Sequence, residues 1–121
     1  METIKIKATN ISLTDAIEEY VNAKLGREVL EKFSGRSEIV GISVEIGKTT
    51  HHHHHGEVFR AEINVLIGGE TVRAVSEKED LYFAIDDVHD EIVNLLKNTK
   101  NKQETLWKRG ARGIKKILRF G

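Results

Sequence analysis

The chain has 121 residues and no proline, a length that fits one domain of ordinary size with no proline-rich linker. It contains no cysteine, which excludes a disulfide framework and a thiolate zinc site, and no run of about 18 apolar residues, which excludes a membrane-spanning helix. The formal net charge is zero, but residues 1–96 have a balance of −8 and residues 97–121 a balance of +8.

The first predicted elements are a strand and a long helix. Ile4, Ile6 and Ala8 alternate with polar residues, which is typical of a half-buried strand. Ser12 or Thr14 is then placed to cap a helix. Apolar residues follow at helical spacing and predict one amphipathic helix that ends near residues 34–35; they are Leu13, Ala16, Ile17, Tyr20, Val21, Leu25, Val29 and Phe33.

Three further strands are predicted in the middle of the chain. Residues 40–46 and 59–67 alternate between apolar and polar side chains, and residues 47–56 between them are predicted to form a loop. Gly68 and Gly69 are a strong two-residue hairpin signal, after which residues 71–75 form the last strand.

A second amphipathic helix is predicted after the last strand. Ser76 and Glu79 match the S-x-x-E pattern of a capping box, in which two side chains satisfy free backbone N–H groups. The apolar stripe behind it comprises Leu81, Ala84, Ile85, Val88, Ile92, Leu95 and Leu96.

The resulting order β-α-β-β-β-α predicts an α+β fold. Each helix has one apolar stripe, so we expect a two-layer sandwich in which a four-stranded sheet carries two helices packed on one face. The other face of the sheet is expected to meet solvent, as antiparallel sheets permit. A double-stranded-RNA-binding domain preceded by a strand has the same element order.

The loop between the second and third strands contains the run His51 to His55. Neutral imidazole binds zinc, copper and nickel, so a metal site is one interpretation. A selective site needs fixed geometry, however, and a loop of this kind does not supply it. The favoured interpretation is a polar loop, native or engineered, and no metal site is predicted.

Four carboxylates, those of Asp86, Asp87, Asp90 and Glu91, cluster beside His89 in the second helix. Paired carboxylates can perform acid–base chemistry, but no nucleophile or glycine-rich phosphate loop accompanies these. We interpret the cluster as a solvated helix face and predict no catalytic residue. Tyr82 is either an exposed aromatic residue for RNA or a residue at the rim of the core.

The C-terminal segment is strongly basic, which is typical of an arm that meets nucleic acid. Trp107 could stack on an exposed base. The apolar residues Ile114, Ile117 and Leu118 allow a second interpretation, docking on the domain or on a membrane surface. We therefore divide the chain into an α+β domain at residues 1–102 and a basic extension at residues 103–121.

Two stretches resemble a known family. One is Asp80-Leu81-Tyr82-Phe83-Ala84-Ile85-Asp86 at the start of the last helix, and the other is Asp15-Ala16-Ile17-Glu18-Glu19-Tyr20-Val21 with Ala23-Lys24 in the first helix. With the element order and the Gly68-Gly69 hairpin, they make residues 3–102 similar to the ribosome hibernation-promoting factor family, which includes ribosome-associated inhibitors and sigma-factor modulation proteins. The length resembles that of the family's short form.

The resemblance implies a non-enzymatic protein that sits in the channel of the small (30S) ribosomal subunit where messenger RNA and tRNA lie, and so inhibits translation during hibernation under stress. It implies that Lys24, Arg27, Lys100 and Lys102 bind rRNA phosphates. Charge alone adds further expected rRNA-binding residues, namely Lys97, Lys108, Arg109, Arg112, Lys115, Lys116 and Arg119.

The leading hypothesis is therefore a cytoplasmic bacterial ribosome binder without cofactor or small-molecule substrate, monomeric off the ribosome and independent of membranes. The alternative is a stand-alone RNA-binding module of the double-stranded-RNA-binding type, and a third hypothesis is a metal-regulated protein that uses the histidine loop. Long family members pair ribosomes through a second domain, and whether this chain promotes such pairing stays open.

Overall fold

The computed structural model describes residues 4–33, 39–49 and 56–111, and it describes side chains as far as residue 98. Its elements follow in the order β1 (Ile4–Thr9), α1 (Asp15–Val21), π1 (Asn22–Arg27), α2 (Glu28–Lys32), β2 (Ile39–Thr49), β3 (Val58–Ile67), β4 (Glu70–Lys78) and α3 (Leu81–Ala111). The segments α1, π1 and α2 follow one another directly and are called the first helix below.

The four strands form one sheet in the order β1-β2-β3-β4. β1 runs parallel to β2, while β2, β3 and β4 form an antiparallel meander whose last hairpin turns at Gly68 and Gly69. Gly68 has a φ of +61°, a conformation that glycine adopts without steric cost. The predicted α+β fold, with four strands and two helices, is confirmed.

The core lies between the sheet and the helices. Along each strand, residues that face inward alternate with residues that face outward. In β2 the inward residues are Ile42, Val44 and Ile46, and all three are buried. The first helix contributes Val21, Leu25, Val29 and Phe33, and α3 contributes Leu81, Ala84, Ile85, Val88, Ile92, Val93 and Leu96. The apolar stripes predicted from helical spacing therefore face the sheet from Ile17 onward, whereas Leu13 and Ala16, also predicted in the first stripe, are exposed.

The first helix contains a π-helical segment that its sequence pattern explains. Its buried residues Val21, Leu25, Val29 and Phe33 follow one another at a strict spacing of four. In an ideal α-helix each step of four residues rotates the side chain by about 40° beyond one full turn, so the stripe would drift away from the sheet. A π-helix has more residues in each turn, and π1 thereby keeps the stripe on the core side.

The two helix starts are capped by different residues. Of the two residues predicted to cap the first helix, Thr14 does so. Its hydroxyl oxygen accepts a hydrogen bond from the Ile17 N–H at 3.2 Å. The predicted capping box of Ser76 and Glu79 is wrong. The cap of α3 is Asp80, whose Oδ1 accepts hydrogen bonds from the N–H groups of Tyr82 at 2.8 Å and Phe83 at 3.2 Å.

Ser76 cannot cap the helix because it belongs to β4. It faces the core with 6% of its surface exposed, and its hydroxyl donates a 2.7 Å hydrogen bond to Asp87 Oδ2. The strands are also longer than predicted: backbone pairing continues to Thr49↔Val58 and Phe59↔Lys78, beyond the last apolar residues of each pattern. The histidine run at residues 51–55 lies outside the described residues.

The outer face of the sheet carries a charge network centred on Glu62. Its carboxylate lies 2.9 Å from Arg60 Nη2 and 2.9 Å from Arg73 Nε, and it accepts a 3.1 Å hydrogen bond from Asn64. Burial alone would raise the pKa of Glu62, but the hydrogen bonds from Asn64, Arg60 and Arg73 and the charge of Arg60 outweigh it and lower that pKa.

We expect Glu62→Gln to reduce the free energy of unfolding by about 1–3 kcal/mol at neutral pH, because it removes charge-assisted hydrogen bonds. A lowered folded-state pKa gives stability that is present above the ordinary carboxyl range and is lost as pH falls through the folded value. Urea unfolding at about pH 7 and about pH 3 should therefore show a larger difference at the higher pH. Glu91→Gln, at an exposed position of α3, is the matched control and should change little at either pH.

The last helix is longer than predicted. α3 continues from Leu81 to Ala111, so the boundary predicted between residues 102 and 103 falls inside one helix, and the division into a domain and an extension stays a prediction. Within the described ranges, none of the helices is both long enough and apolar enough to cross a membrane.

Candidate functional site

Polar side chains meet where the first helix lies beside α3. We call this group the interhelical cluster; its members are Tyr20, Lys24, Glu28, Tyr82, Asp86 and His89. Asp86 is its centre: the Tyr20 hydroxyl donates a hydrogen bond to Asp86 Oδ1, and Lys24 Nζ lies 4.0 Å from the same oxygen. One carboxylate of α3 thus orients two side chains of the first helix.

The hydrogen bond to Asp86, followed by burial and by the charge of Asp86, raises the pKa of Tyr20 to about 12 from an ordinary 10.0. Because the folded-state pKa is raised, this contact contributes stability that is present below the ordinary value and is lost as pH rises through about 12.

We expect Asp86→Asn to move the pKa of Tyr20 down toward the ordinary 10.0, because the charged acceptor is gone. Ultraviolet titration of tyrosinate absorbance measures it, with Tyr20→Phe identifying the Tyr20 component. Asp87→Asn is the control, because Asp87 contacts Ser76 and Lys78 and should leave this titration unchanged. An unchanged Tyr20 transition in Asp86→Asn would contradict the central place given to Asp86.

Tyr82 packs edge-on against Tyr20, with ring centroids 4.9 Å apart and an interplanar angle of 78°. Tyr82 is 38% exposed and lies at the edge of the cluster, and a role in binding RNA stays a prediction. Phe83 beside it is 66% exposed. The start of α3 therefore offers aromatic surface next to the cluster.

His89 is the buried member of the cluster, with 6% of its surface exposed. Its Nδ1 lies 3.0 Å from Asp90 Oδ1, while its Nε2 lies 3.3 Å from Glu28 Oε1 in a geometry that gives no hydrogen bond with any residue in the described ranges. Glu28 also lies 3.9 Å from Lys24 Nζ. Glu28 therefore stands between a buried imidazole and a lysine at the surface.

The two basic residues predicted on the first helix, Lys24 and Arg27, both belong to π1. π-Helical turns inside α-helices occur frequently at functional sites. Lys24 is held near Glu28 and Asp86, and Arg27 Nη2 lies 3.8 Å from Glu19 Oε2. These pairs are exposed enough to contribute little stability, so either cation can exchange its carboxylate for a phosphate at small cost.

The other predicted binding residues lie along and beyond α3. Lys97 is exposed on α3, and Lys100, Lys102, Lys108 and Arg109 are in the part of α3 for which only the backbone is described. Arg112, Lys115, Lys116 and Arg119 lie outside the described residues. The structure thus gathers only Lys24 and Arg27 in one described place, and phosphate binding by all these residues stays a prediction.

The acidic cluster lies on a helix face that is exposed or half-exposed, as predicted, but two of its members also have specific partners. Asp86 accepts the Tyr20 hydroxyl, and Asp87 accepts the Ser76 hydroxyl from the sheet. The sequence analysis assigned Tyr20 to the apolar stripe of the first helix and His89 to the neighbourhood of the carboxylates, and it predicted no contact between the two helices through these residues. Among the described residues, no group of three or more His, Asp, Glu or Cys side chains is arranged to hold a metal ion.

Comparison with known sequences gives a family match over nearly the whole described chain. The model of the family described as Sigma 54 modulation protein / S30EA ribosomal protein matches residues 4–104. The ribosome hibernation promoting factor of Escherichia coli K12 is 27% identical over 99 residues, which cover 82% of this chain and 94% of that protein. The ribosome hibernation promotion factor of Picosynechococcus is 30% identical over 98 residues, 80% of this chain and 48% of that protein.

Two solved structures share the fold. The N-terminal domain of Protein Y from Thermus thermophilus superposes with a TM-score of 0.58 at 29% identity, covering 78% of this chain and 94% of that one. A ribosomal subunit interface protein from Coxiella burnetii superposes with a TM-score of 0.65 at 20% identity, covering 81% and 97%. The second likeness bears on the fold alone.

Proposed function

Because the chain belongs to the family described as Sigma 54 modulation protein / S30EA ribosomal protein, we propose that it is a ribosome hibernation factor that binds the small subunit and inhibits translation. It binds rRNA in the channel that messenger RNA and tRNA would use, and it acts by occupancy. No enzymatic step or cofactor is required, and the protein works in the cytoplasm as a monomer until it meets the ribosome.

The observation that carries the proposal is the family match over residues 4–104, which includes the whole sheet, the first helix and most of α3. The Escherichia coli relative is named for ribosome hibernation, and its match with this chain covers 94% of its length. The compact domain, rather than an appended segment, is therefore the part that the relatives have in common with this chain.

The acidic helices and the basic C-terminal residues have different proposed roles in binding. The helices of the described domain are acidic: residues 15–32 and 81–98 together contain nine Asp and Glu but four Lys and Arg. An acidic helix layer is repelled by rRNA at long range, so attraction has to come from the basic residues after Asn98. Once the domain is docked, Lys24 and Arg27 exchange local carboxylates for phosphates at short range.

Purified protein is expected to lower the yield of a cell-free translation reaction and to compete with initiator tRNA for isolated small subunits. A charge-reversal variant, Lys24→Glu/Arg27→Glu, is expected to inhibit less, because it places two more negative charges where phosphates are proposed to lie. Lys32→Glu/Lys78→Glu is the matched control for total charge. Full translation at saturating protein would remove the proposed function.

A further inference from the structure

The outer face of the sheet, on the side away from the helices, carries two lysines without carboxylate partners. Lys5 and Lys7 are exposed on the edge strand β1, and neither forms an ion pair with another residue in the described ranges. Lys24 and Arg27 of the helix layer, in contrast, both lie near carboxylates. These two lysines of the sheet face are therefore free of the ion pairs that hold Lys24 and Arg27.

These lysines border a groove along the seam between β1 and β2. A concavity of about 240 Å³ lies between them, and its lining includes Ser43, Asn64 and the backbone at Ile6 and Val44. A second concavity of about 130 Å³ continues the seam over Gly47 toward Arg60. Gly47 has no side chain to fill it, and a Cβ there would come within 2.5 Å of the Thr9 carbonyl oxygen.

The register of the strands places further polar groups across this groove. Lys5 pairs with Ser43, Ser43 with Asn64, and Asn64 with Arg73, so one row of donors crosses the sheet. Lys5 and Lys7 are two residues apart on an extended strand, which separates their Cα atoms by about 6.5 Å. This separation resembles that of successive phosphates along an extended single strand of nucleic acid.

The carboxylates of this face are already engaged by neighbours. Glu62 contacts Arg60 and Arg73, as described above, and Glu45 Oε2 accepts a 2.9 Å hydrogen bond from the Thr9 hydroxyl. Glu45 nevertheless lines both concavities and lies across from Lys7 in the strand register. It is therefore the residue that opposes anion binding there.

We propose that the β1–β2 seam binds the phosphodiester backbone of single-stranded RNA, with Lys5 and Lys7 on successive phosphates and Ser43 and Asn64 donating hydrogen bonds. This site lies on the opposite layer from Lys24 and Arg27, so it goes beyond the proposed contact of the helices with the small subunit. A domain held to rRNA by its helices would present this seam to a second RNA segment.

The test is binding of the full chain to a fluorescein-labelled oligouridine across a salt series. Counterion release contributes about 0.7 to the slope of log K against log salt for each phosphate neutralised on a single strand. Lys5→Gln/Lys7→Gln should therefore flatten the slope by about 1.4 and weaken binding. Lys32→Gln/Lys78→Gln removes the same charge away from the seam and should leave the slope near that of the parent chain.

Glu45→Gln gives a result of opposite sign, because it removes the carboxylate that lies across from Lys7 in the strand register. Tighter oligouridine binding by this variant cannot come from a loss of folding, and it would support the seam. Equal flattening in both lysine pairs, or no response to either Lys5→Gln/Lys7→Gln or Glu45→Gln, would overturn the proposal. The oligonucleotide contains no ribosome, so this result is independent of whether the chain binds small subunits.

Discussion

Truncation after Glu104 is expected to flatten the salt dependence of small-subunit binding by about 2 to 5 in the slope of log K against log salt. The removed segment contains Lys108, Arg109, Arg112, Lys115, Lys116 and Arg119 and no acidic residue. If three to six of these neutralise phosphates, a fourfold rise in salt changes the ratio of the two proteins' affinities by about 16- to 1,000-fold. Association should also slow, because the remaining domain is net acidic.

The fold explains why this truncation isolates the charge of the segment. Among the α3 residues whose side chains are described, the last fully buried one is Leu96, so a chain that ends at Glu104 keeps every described core contact. Binding should therefore weaken without vanishing at low salt. A full-length variant with the six cations replaced by Gln is the control for length, and it should behave as the truncated chain does. Superimposable slopes for parent and truncated protein would mean that the segment stays in solvent.

Leu25→Ala is expected to lower the free energy of unfolding by about 2–5 kcal/mol. Leu25 is fully buried in π1, where it packs in the core between the first helix and the sheet, and its truncation leaves a cavity that the close-packed strands cannot fill. The same change loosens the segment that carries Lys24 and Arg27, so we also expect weaker small-subunit binding.

Urea unfolding measures the stability, and Leu66→Ala is the matched control. Leu66 is 43% exposed on β3, so the same substitution there should cost about 1 kcal/mol or less. Equal losses for the two variants would show that Leu25 is not part of the core and would contradict the role given to the π-helical segment.

The sheet and the helices could be predicted from the sequence because their signals are local. Alternation in residues 40–46 and 59–67 marks strands with one buried face, and the Gly68-Gly69 turn fixes how two of them pair. The strict spacing of four from Val21 to Phe33 also contained evidence for π1. The sequence analysis interpreted this spacing as an ordinary α-helical stripe and therefore did not predict the π-helical segment.

The polar contacts could not be predicted because they join distant parts of the chain. Tyr20 and Asp86 are 66 residues apart, and the local sequence around either residue does not indicate the other as its partner. Ser76 matched a capping pattern but belongs to strand β4. There its hydroxyl donates a hydrogen bond to Asp87 of α3. Tertiary partners thus overrode a local motif, and an acidic helix face became a set of specific contacts.

Binding residues were predicted from the family resemblance and from charge, and the structure describes the surroundings of two of them. Lys24 and Arg27 share the π-helical segment, while their carboxylate neighbours keep them oriented. Asp86 connects this segment to α3 through Tyr20. A substitution at Asp86 should therefore reduce small-subunit affinity through the position of Lys24, without contact between Asp86 and RNA.

Sedimentation of a cell lysate through a sucrose gradient, with the full chain detected in each fraction, tests the central claim most directly. The account predicts that the protein migrates with 30S or 70S particles at low salt and leaves them as salt rises. Nuclease treatment that spares the ribosome should not release it. Protein that stays at the top of the gradient, or that migrates only with nuclease-sensitive RNA away from ribosomal particles, would contradict ribosome binding.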